Sequence, residues 1–252
     1  MVVTLEKETF LITKTSDFNL SLCNHIEADT RLILEVEKSK NDVVIRSSDT
    51  DVLMLMCFIY KGEHLKNNWF MMIDNETFVS INKIREYFGD DVCDILPAYH
   101  SITGCDTTSY PANIGKIKPF NKMILTNSMH LLKDFGRHKK SYLDLSTALE
   151  FFHKIMYSGK DNESITDTRV RTFTAQKNKT SVNIIPDQAS IKQHLLRADL
   201  QAFFMVPMHK TNYVHTRCCW PRLVQRKRSY SSSLVYRSTI SSGFNKKKMK
   251  LS

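Results

Sequence analysis

The sequence lacks any apolar run long enough to cross a membrane, and it lacks a paired-cysteine motif. Its longest apolar stretch, Val52–Tyr60, is about half of the roughly 20 residues that a membrane-spanning helix needs. The six cysteines are scattered without a C-x-x-C pair in a chain of 252 residues. Charged residues interrupt the first segment before any apolar run reaches signal-peptide length. We therefore expect an intracellular protein with reduced thiols and no membrane partner.

Acidic residues are absent from the last part of the chain. Every Asp and Glu lies at or before Asp199, whereas residues 210–252 contain eleven Lys and Arg. The formal net charge of +10 therefore belongs to this tail, because the first 209 residues carry 25 basic and 26 acidic side chains. We predict that residues 209–252 form a basic, Ser-rich, disordered tail. Its clusters at 222–228 and 246–250 favour an anionic partner and import into the nucleus.

The pattern of apolar residues indicates an α/β fold. Alternation at residues 2–13 predicts one or two strands, and the β-branched run at 42–46 suits a buried parallel strand. A further strand is predicted at 69–73, and a polar connector at 158–181. Helices are predicted at 24–38, 52–60, 81–88, 92–102, 120–135, 146–157 and 188–204. We expect a largely parallel sheet flanked by helices within residues 1–135, and a helical extension at 136–208.

Two carboxylates directly follow the strand predicted at 42–46. Asp49 and Asp51 would lie at the carboxyl end of that strand, where open α/β sheets bind their ligands. Because residues two apart in an extended segment point the same way, both carboxylates could face one ion. Hard oxygen ligands of this kind suit Mg²⁺ or Mn²⁺. The simpler alternative is that one of them caps the helix predicted to begin at residue 52.

Two further acidic segments lie on either side of this pair in the sequence. Glu27 and Asp29 fall in the first turn of the helix predicted at 24–38, where acids also complement the helix dipole. Asp106 follows Gly104 and Cys105 after the helix predicted at 92–102, a pattern that is also typical of an ordinary helix end. The order of the three acidic segments is therefore more informative than any one of them.

Taken in order, these segments resemble the flap-endonuclease-like branch of the PIN-like nuclease superfamily, and in particular its Asteroid-like animal proteins. That family has an E-A-E/D motif that opens a helix, a strand that ends in D-x-D, and a G-C-D motif before a helical clamp for the DNA backbone. The corresponding residues here are Glu27-Ala28-Asp29, Asp49-Thr50-Asp51 and Gly104-Cys105-Asp106. The resemblance covers about residues 20–120, with weaker similarity at 191–204.

The resemblance implies a metal-dependent nuclease that hydrolyses phosphodiester bonds, with DNA favoured over RNA. Clustered carboxylates in such enzymes hold two Mg²⁺ or Mn²⁺ ions roughly 4 Å apart, one to activate water and one to stabilise the leaving oxygen. No side chain need act as the nucleophile. The implied metal ligands are Glu27, Asp29, Asp49, Asp51 and Asp106.

The chain departs from the family pattern at two places. The family's first acidic strand has no counterpart in residues 1–26, so the resemblance implies a partial, N-terminally truncated PIN-like domain. The family's glycine-rich clamp corresponds to Tyr110–Lys118, where one glycine remains. The implied nucleic-acid-binding residues are Gly115, Lys116 and Lys118, the glycine by close approach to phosphate and the lysines by charge.

Two alternative functions are consistent with the same residues. One alternative is a catalytically inactive nuclease-like module, derived from a mobile element, that binds nucleic acid or protein. The loop at Asp49–Asp51 also resembles the D-x-D loop of haloacid-dehalogenase-like phosphatases, with Gly89-Asp90-Asp91 as the distal acids. This phosphatase interpretation leaves the segments at Glu27 and Asp106 unexplained.

Overall fold

The computed structural model describes residues 2–5, 8–11, 28–61, 66–111, 113–137, 145–175, 184–206 and 233–236. The chain divides into two compact units, Met1–Gly89 with Met208–Ser252, and Asp90–Pro207. The domain boundary predicted after residue 135 lies within the second of these units. No helix among the described residues combines the length and the apolar character that crossing a membrane requires.

A small mixed sheet lies at the centre of the first unit. Its strands are β3 (Val43–Arg46), β4 (Trp69–Met72), β5 (Phe78–Ser80) and β6 (Ser233–Tyr236), in the order β5-β4-β3-β6. Only β3 and β4 are parallel, whereas β4 pairs with β5 and β3 pairs with β6 in antiparallel fashion. The expectation of a largely parallel sheet is therefore wrong for the described strands. The loop from β4 to β5 is too short for the crossover that a parallel pair requires.

The ends of the chain contribute further strands to the first unit. Val2–Leu5 (β1) and Glu8–Leu11 (β2) form an antiparallel hairpin with Val2 opposite Leu11, in the segment where alternation predicted one or two strands. Strand β6 comes from the tail that was predicted to be disordered, and the rest of that tail lies outside the described residues.

Helices α1 (Ala28–Lys38), α2 (Thr50–Ile59) and α3 (Ile81–Phe88) complete the first unit. Helix α2 is buried on nearly every side from Val52 to Ile59, as its continuous apolar sequence requires. The indole of Trp69 at the start of β4 is fully buried and meets the ring of Tyr60 edge to face, 5.3 Å between centroids. Burial of these apolar side chains supplies the main stabilisation of this unit.

The second unit consists of helices in its described residues. They are α4 (Asp90–Asp94), α5 (Leu96–Thr103), α6 (Ile117–Leu125), a 3₁₀ turn (Met129–Leu132), α7 (Ser146–Glu150), a π-helical turn (Phe151–Met156), α8 (Ile165–Ala175) and α9 (Gln188–Met205). One apolar core joins them and includes Tyr99, Phe151, Leu195 and Ala202. Helix α5 packs along α9 within this core.

Helix α8 lies in the segment that was predicted to be a polar connector. The prediction is wrong there because α8 buries only Ile165 and Thr168, so its sequence shows no apolar period. The start of α8 is instead marked by hydrogen bonds between side chains and the backbone. Ser164 Oγ accepts a hydrogen bond from the Asp167 N–H at 3.1 Å, and an Asp167 carboxylate oxygen accepts from the Ser164 N–H at 3.1 Å. This reciprocal pair is a capping box and could have revealed the helix in the sequence.

A glycine at the end of the 129–136 segment determines how closely that segment approaches α9. Gly136 has φ +74°, and its N–H donates to Asp199 Oδ1 at 2.7 Å. A Cβ atom at this position would lie 2.5 Å from the Cβ of Ala202 and 2.8 Å from its carbonyl carbon. Both the left-handed backbone and the close approach therefore require glycine.

Candidate functional site

Asp49 connects β3 to α2 as the N-cap of the helix. Its backbone is extended, with φ −81° and ψ 126°, and its Oδ1 accepts a hydrogen bond from the Asp51 N–H at 2.9 Å. The Asp49 N–H in turn donates to Ser47 Oγ at 3.1 Å. Asp51 lies in the first turn of α2. The capping role weighed for this pair is thus confirmed for Asp49.

We expect Asp49→Ala to lower the free energy of unfolding by about 1 kcal/mol, because the first turn of α2 would lose its capping oxygen. Asp49→Ser is the matched variant, since the serine hydroxyl can cap the helix without supplying a carboxylate. Urea denaturation should show the loss for alanine and near-native stability for serine. Equal losses in the two variants would mean that the carboxylate has another role that the serine hydroxyl cannot replace.

The other predicted metal ligands are distributed over the two units. Asp29 lies in the first turn of α1, and Glu27 lies outside the described residues. Asp106 is exposed in the turn closed by the bridge between Cys105 and Thr108, and it belongs to the second unit. Within the described ranges, no group of three or more His, Cys, Asp and Glu side chains is arranged to hold a metal ion.

The predicted nucleic-acid-binding residues, in contrast, line one cleft of the second unit. Gly115, Lys116 and Lys118 surround an open cavity of about 450 Å³, which we call the lysine cleft. A third lysine, Lys122 of α6, also lines it. The opposite wall comes from the π-helical turn and the residues after it, Ile155, Met156 and Ser158. No Asp or Glu occurs among the described residues that line this cleft, so its lining is positively charged.

Contacts within the protein hold two of the three lysine side chains in place. Lys116 Nζ lies 3.3 Å from His100 Nδ1 and 5.9 Å from the centroid of the Tyr110 ring. Lys122 Nζ donates to the Lys154 carbonyl oxygen at 2.6 Å and to Ser158 Oγ at 3.2 Å. Burial lowers the pKa of Lys122, whereas a bound anion would raise it. The cations are therefore partly pre-positioned.

Gly115 leaves open space on the side where other residues carry a side chain. A Cβ atom built there meets no other atom within 4 Å, and its φ lies outside the left-handed region. The fold of the described residues therefore does not itself demand glycine at this position. A phosphate group that approached this backbone would require glycine, because its oxygens could contact the backbone directly only where no side chain intervenes.

The environment of Cys105 was not recognised in the sequence. The buried sulfur lies 3.3 Å from Thr107 Oγ1 and 3.2 Å from Thr108 Oγ1, and it is also hydrogen-bonded by His100. Burial alone would raise the pKa of this thiol, but the hydrogen bonds from His100, Thr107 and Thr108 together lower it to about 7. The two adjacent threonines in Cys-Asp-Thr-Thr were the available sequence signal. Through His100, this thiol is linked to Lys116 of the lysine cleft.

Comparison with known proteins identifies no relative of this chain. No protein-family model matches the sequence, and neither the curated proteins nor the solved structures contain a significant match.

Proposed function

We propose that this protein binds nucleic acid and that the lysine cleft contacts the phosphate backbone. The observation that carries the proposal is the convergence of three lysines and an unobstructed glycine on one cavity whose described lining contains no acid. Such a surface attracts phosphates through charge and gains entropy from the release of condensed counterions. Binding of this kind is largely independent of sequence.

An exposed aromatic ring beside the cleft favours a single strand over a duplex. Tyr110 is 64% exposed, and the Lys116 ammonium group lies over its ring. Aromatic rings next to a cationic groove are the usual stacking platforms for unpaired bases. We therefore expect single-stranded or flapped DNA to bind more tightly than a duplex of the same length.

Metal-dependent cleavage is the second candidate function. It rests on the order of the three acidic segments at Glu27–Asp29, Asp49–Asp51 and Asp106, not on a carboxylate cluster in the described residues. We also propose a nuclear location, because the basic clusters of the tail favour import into the nucleus. Cleavage of labelled DNA that requires Mg²⁺ or Mn²⁺ and disappears in Asp51→Asn would support this candidate over binding alone.

The binding proposal is tested by replacing lysines of the cleft in the full chain. We expect Lys116→Ala combined with Lys118→Ala to weaken binding of a labelled single strand about tenfold or more at moderate salt. The slope of log affinity against log salt concentration should fall by about one for each lysine removed. Fluorescence anisotropy at four or five salt concentrations measures both quantities.

The matched control removes the same number of positive charges at positions outside the cleft. Lys133 and Lys192 belong to the same unit but do not line the cleft, so Lys133→Ala combined with Lys192→Ala should leave the affinity nearly unchanged. Gly115→Val adds a test of close approach and should reduce binding without lowering stability, because its side chain meets open space. If the control pair weakens binding as much as the cleft pair does, the cleft is not the binding site.

A further inference from the structure

A second cleft of the helical unit contains a serine and a histidine in direct contact. Ser109 Oγ lies 3.0 Å from His194 Nδ1, and His194 Nε2 lies 2.9 Å from the Ile102 carbonyl oxygen. The serine is exposed whereas the histidine is buried. Both residues line a cavity of about 450 Å³ that does not include the residues of the lysine cleft. We call it the Ser109 cleft.

The hydrogen bonds determine where the proton of this histidine lies. A carbonyl oxygen can only accept, so Nε2 of His194 must carry the hydrogen. In the neutral ring Nδ1 is then an acceptor, and the Ser109 hydroxyl donates to it. Burial lowers the pKa of His194, and the nearby Arg197 lowers it further, although the hydrogen bond to Ile102 acts in the opposite direction. The imidazole is therefore neutral at pH 7, with its free electron pair directed at the serine.

The surrounding structure holds the two residues in this geometry. His194 is carried by α9, and its ring packs against Phe152 with 5.5 Å between the ring centroids. Ser109 directly follows a turn that is fastened to α5, because Thr108 Oγ1 donates to the Ser101 carbonyl oxygen at 2.9 Å. A nucleophile, a base and a group that orients the base are thus held by two packed helices and by the turn that follows α5.

The lining of the Ser109 cleft indicates what it could accept. Its walls are mainly apolar, formed by Tyr110, Pro111, Phe152, Pro186 and Ile191. Arg197 is the single charged residue among the described residues that line it, and Ser190 and Gln193 add polar groups. Small apolar acyl groups suit such walls, and the guanidinium group supplies positive charge for an oxyanion or for an acidic group of the substrate.

We propose that Ser109 is a nucleophile activated by His194 and that the Ser109 cleft hydrolyses esters of small apolar acids. The Oγ atom bonds to the ester carbonyl carbon while its proton passes to Nδ1 of His194. The bond to the alcohol oxygen then breaks, and the leaving alkoxide takes that proton. Water, deprotonated by the same nitrogen, hydrolyses the acyl-serine to release the carboxylic acid and restore the hydroxyl group.

The test is covalent labelling of the full chain with an alkyl fluorophosphonate, in which the serine oxygen displaces fluoride from phosphorus. We expect an adduct on the peptide that contains Ser109, located by mass spectrometry. Labelling should be lost in Ser109→Ala and reduced by about 10²-fold or more in His194→Gln, which can still donate to Ile102 but cannot act as a base. Ser146→Ala, which changes an exposed serine of the same unit that does not line the cleft, should label normally.

The pH dependence separates base catalysis from a merely structural contact. Because the pKa of His194 is lowered, labelling should be as fast at pH 7 as at pH 8 and should slow only in more acidic solution, as the imidazole becomes protonated. Absence of a Ser109 adduct in the folded wild-type protein would overturn the proposal. Labelling that is unchanged in His194→Gln would overturn it equally, since the hydroxyl would then react without a base.

Discussion

Gly136→Ala should lower the free energy of unfolding by about 3–5 kcal/mol, a large share of the stability of an ordinary domain. One part of the loss comes from the left-handed backbone, φ +74°, which costs a non-glycine residue about 1–3 kcal/mol. Another part comes from overpacking, because the new methyl group would overlap Ala202 in α9 at 2.5 Å. Urea denaturation followed by circular dichroism measures the change.

Gly89→Ala is the matched control for this substitution. Gly89 also has a left-handed backbone, φ +80°, but a Cβ atom there meets nothing within 4 Å. The control therefore retains a backbone strain and removes the steric overlap, so we expect a smaller loss of about 1–3 kcal/mol. If the two variants lost the same stability, close contact with α9 would not be what requires glycine at position 136.

Alkylation of Cys105 should reach half of its maximal rate near pH 7, about two pH units below an ordinary thiol. The rate follows the thiolate fraction, and the hydrogen bonds to the sulfur lower the pKa of Cys105 to about 7 from its usual 9.0. At pH 6 to 7 this difference corresponds to a thiolate fraction about 50 to 100 times larger. Iodoacetamide labelling across pH, resolved by peptide mass spectrometry, separates Cys105 from Cys57 and Cys93, the other buried thiols of the described residues.

Thr107→Val tests the cause of this shift with little change in side-chain volume. It removes the hydroxyl group 3.3 Å from the sulfur, so the midpoint of alkylation should move to higher pH. Because folding favours the thiolate, the native state should also gain stability as the pH rises from about 7 to about 9 and lose that gain as the pH falls through 7. A midpoint that remains near pH 9 in the folded wild-type protein would contradict the assignment.

The sequence predicted elements whose burial follows a simple pattern and missed those that are short or mostly exposed. The β-branched run of β3 and the continuous apolar run of α2 carry their own signals, so the strand, the loop and the helix were expected in the correct order. Strand β5 has three residues, too few for alternation to be visible. Helix α8 buries one side of a single turn, so its capping box was the only indication of it.

The two candidate sites differ in how far apart their residues lie in the sequence. Gly115, Lys116 and Lys118 lie close together in space because they are close together in the chain. Ser109 and His194 are 85 residues apart, and only the packing of α9 along α5 brings them into contact. Spacing in the sequence therefore carried no information on that pair. The three acidic segments are likewise far apart in the chain, so the metal site that their order suggests stays a prediction.

The last turn of α5 supports two chemically unrelated surfaces. His100 faces the ammonium group of Lys116 in the lysine cleft, and two residues later the Ile102 carbonyl oxygen fixes the proton position on His194 in the Ser109 cleft. Both clefts therefore depend on the position of this one turn of α5. A shift of this turn by a single residue would displace the contact partners of both Lys116 and His194, so a change that alters one cleft would also alter the other.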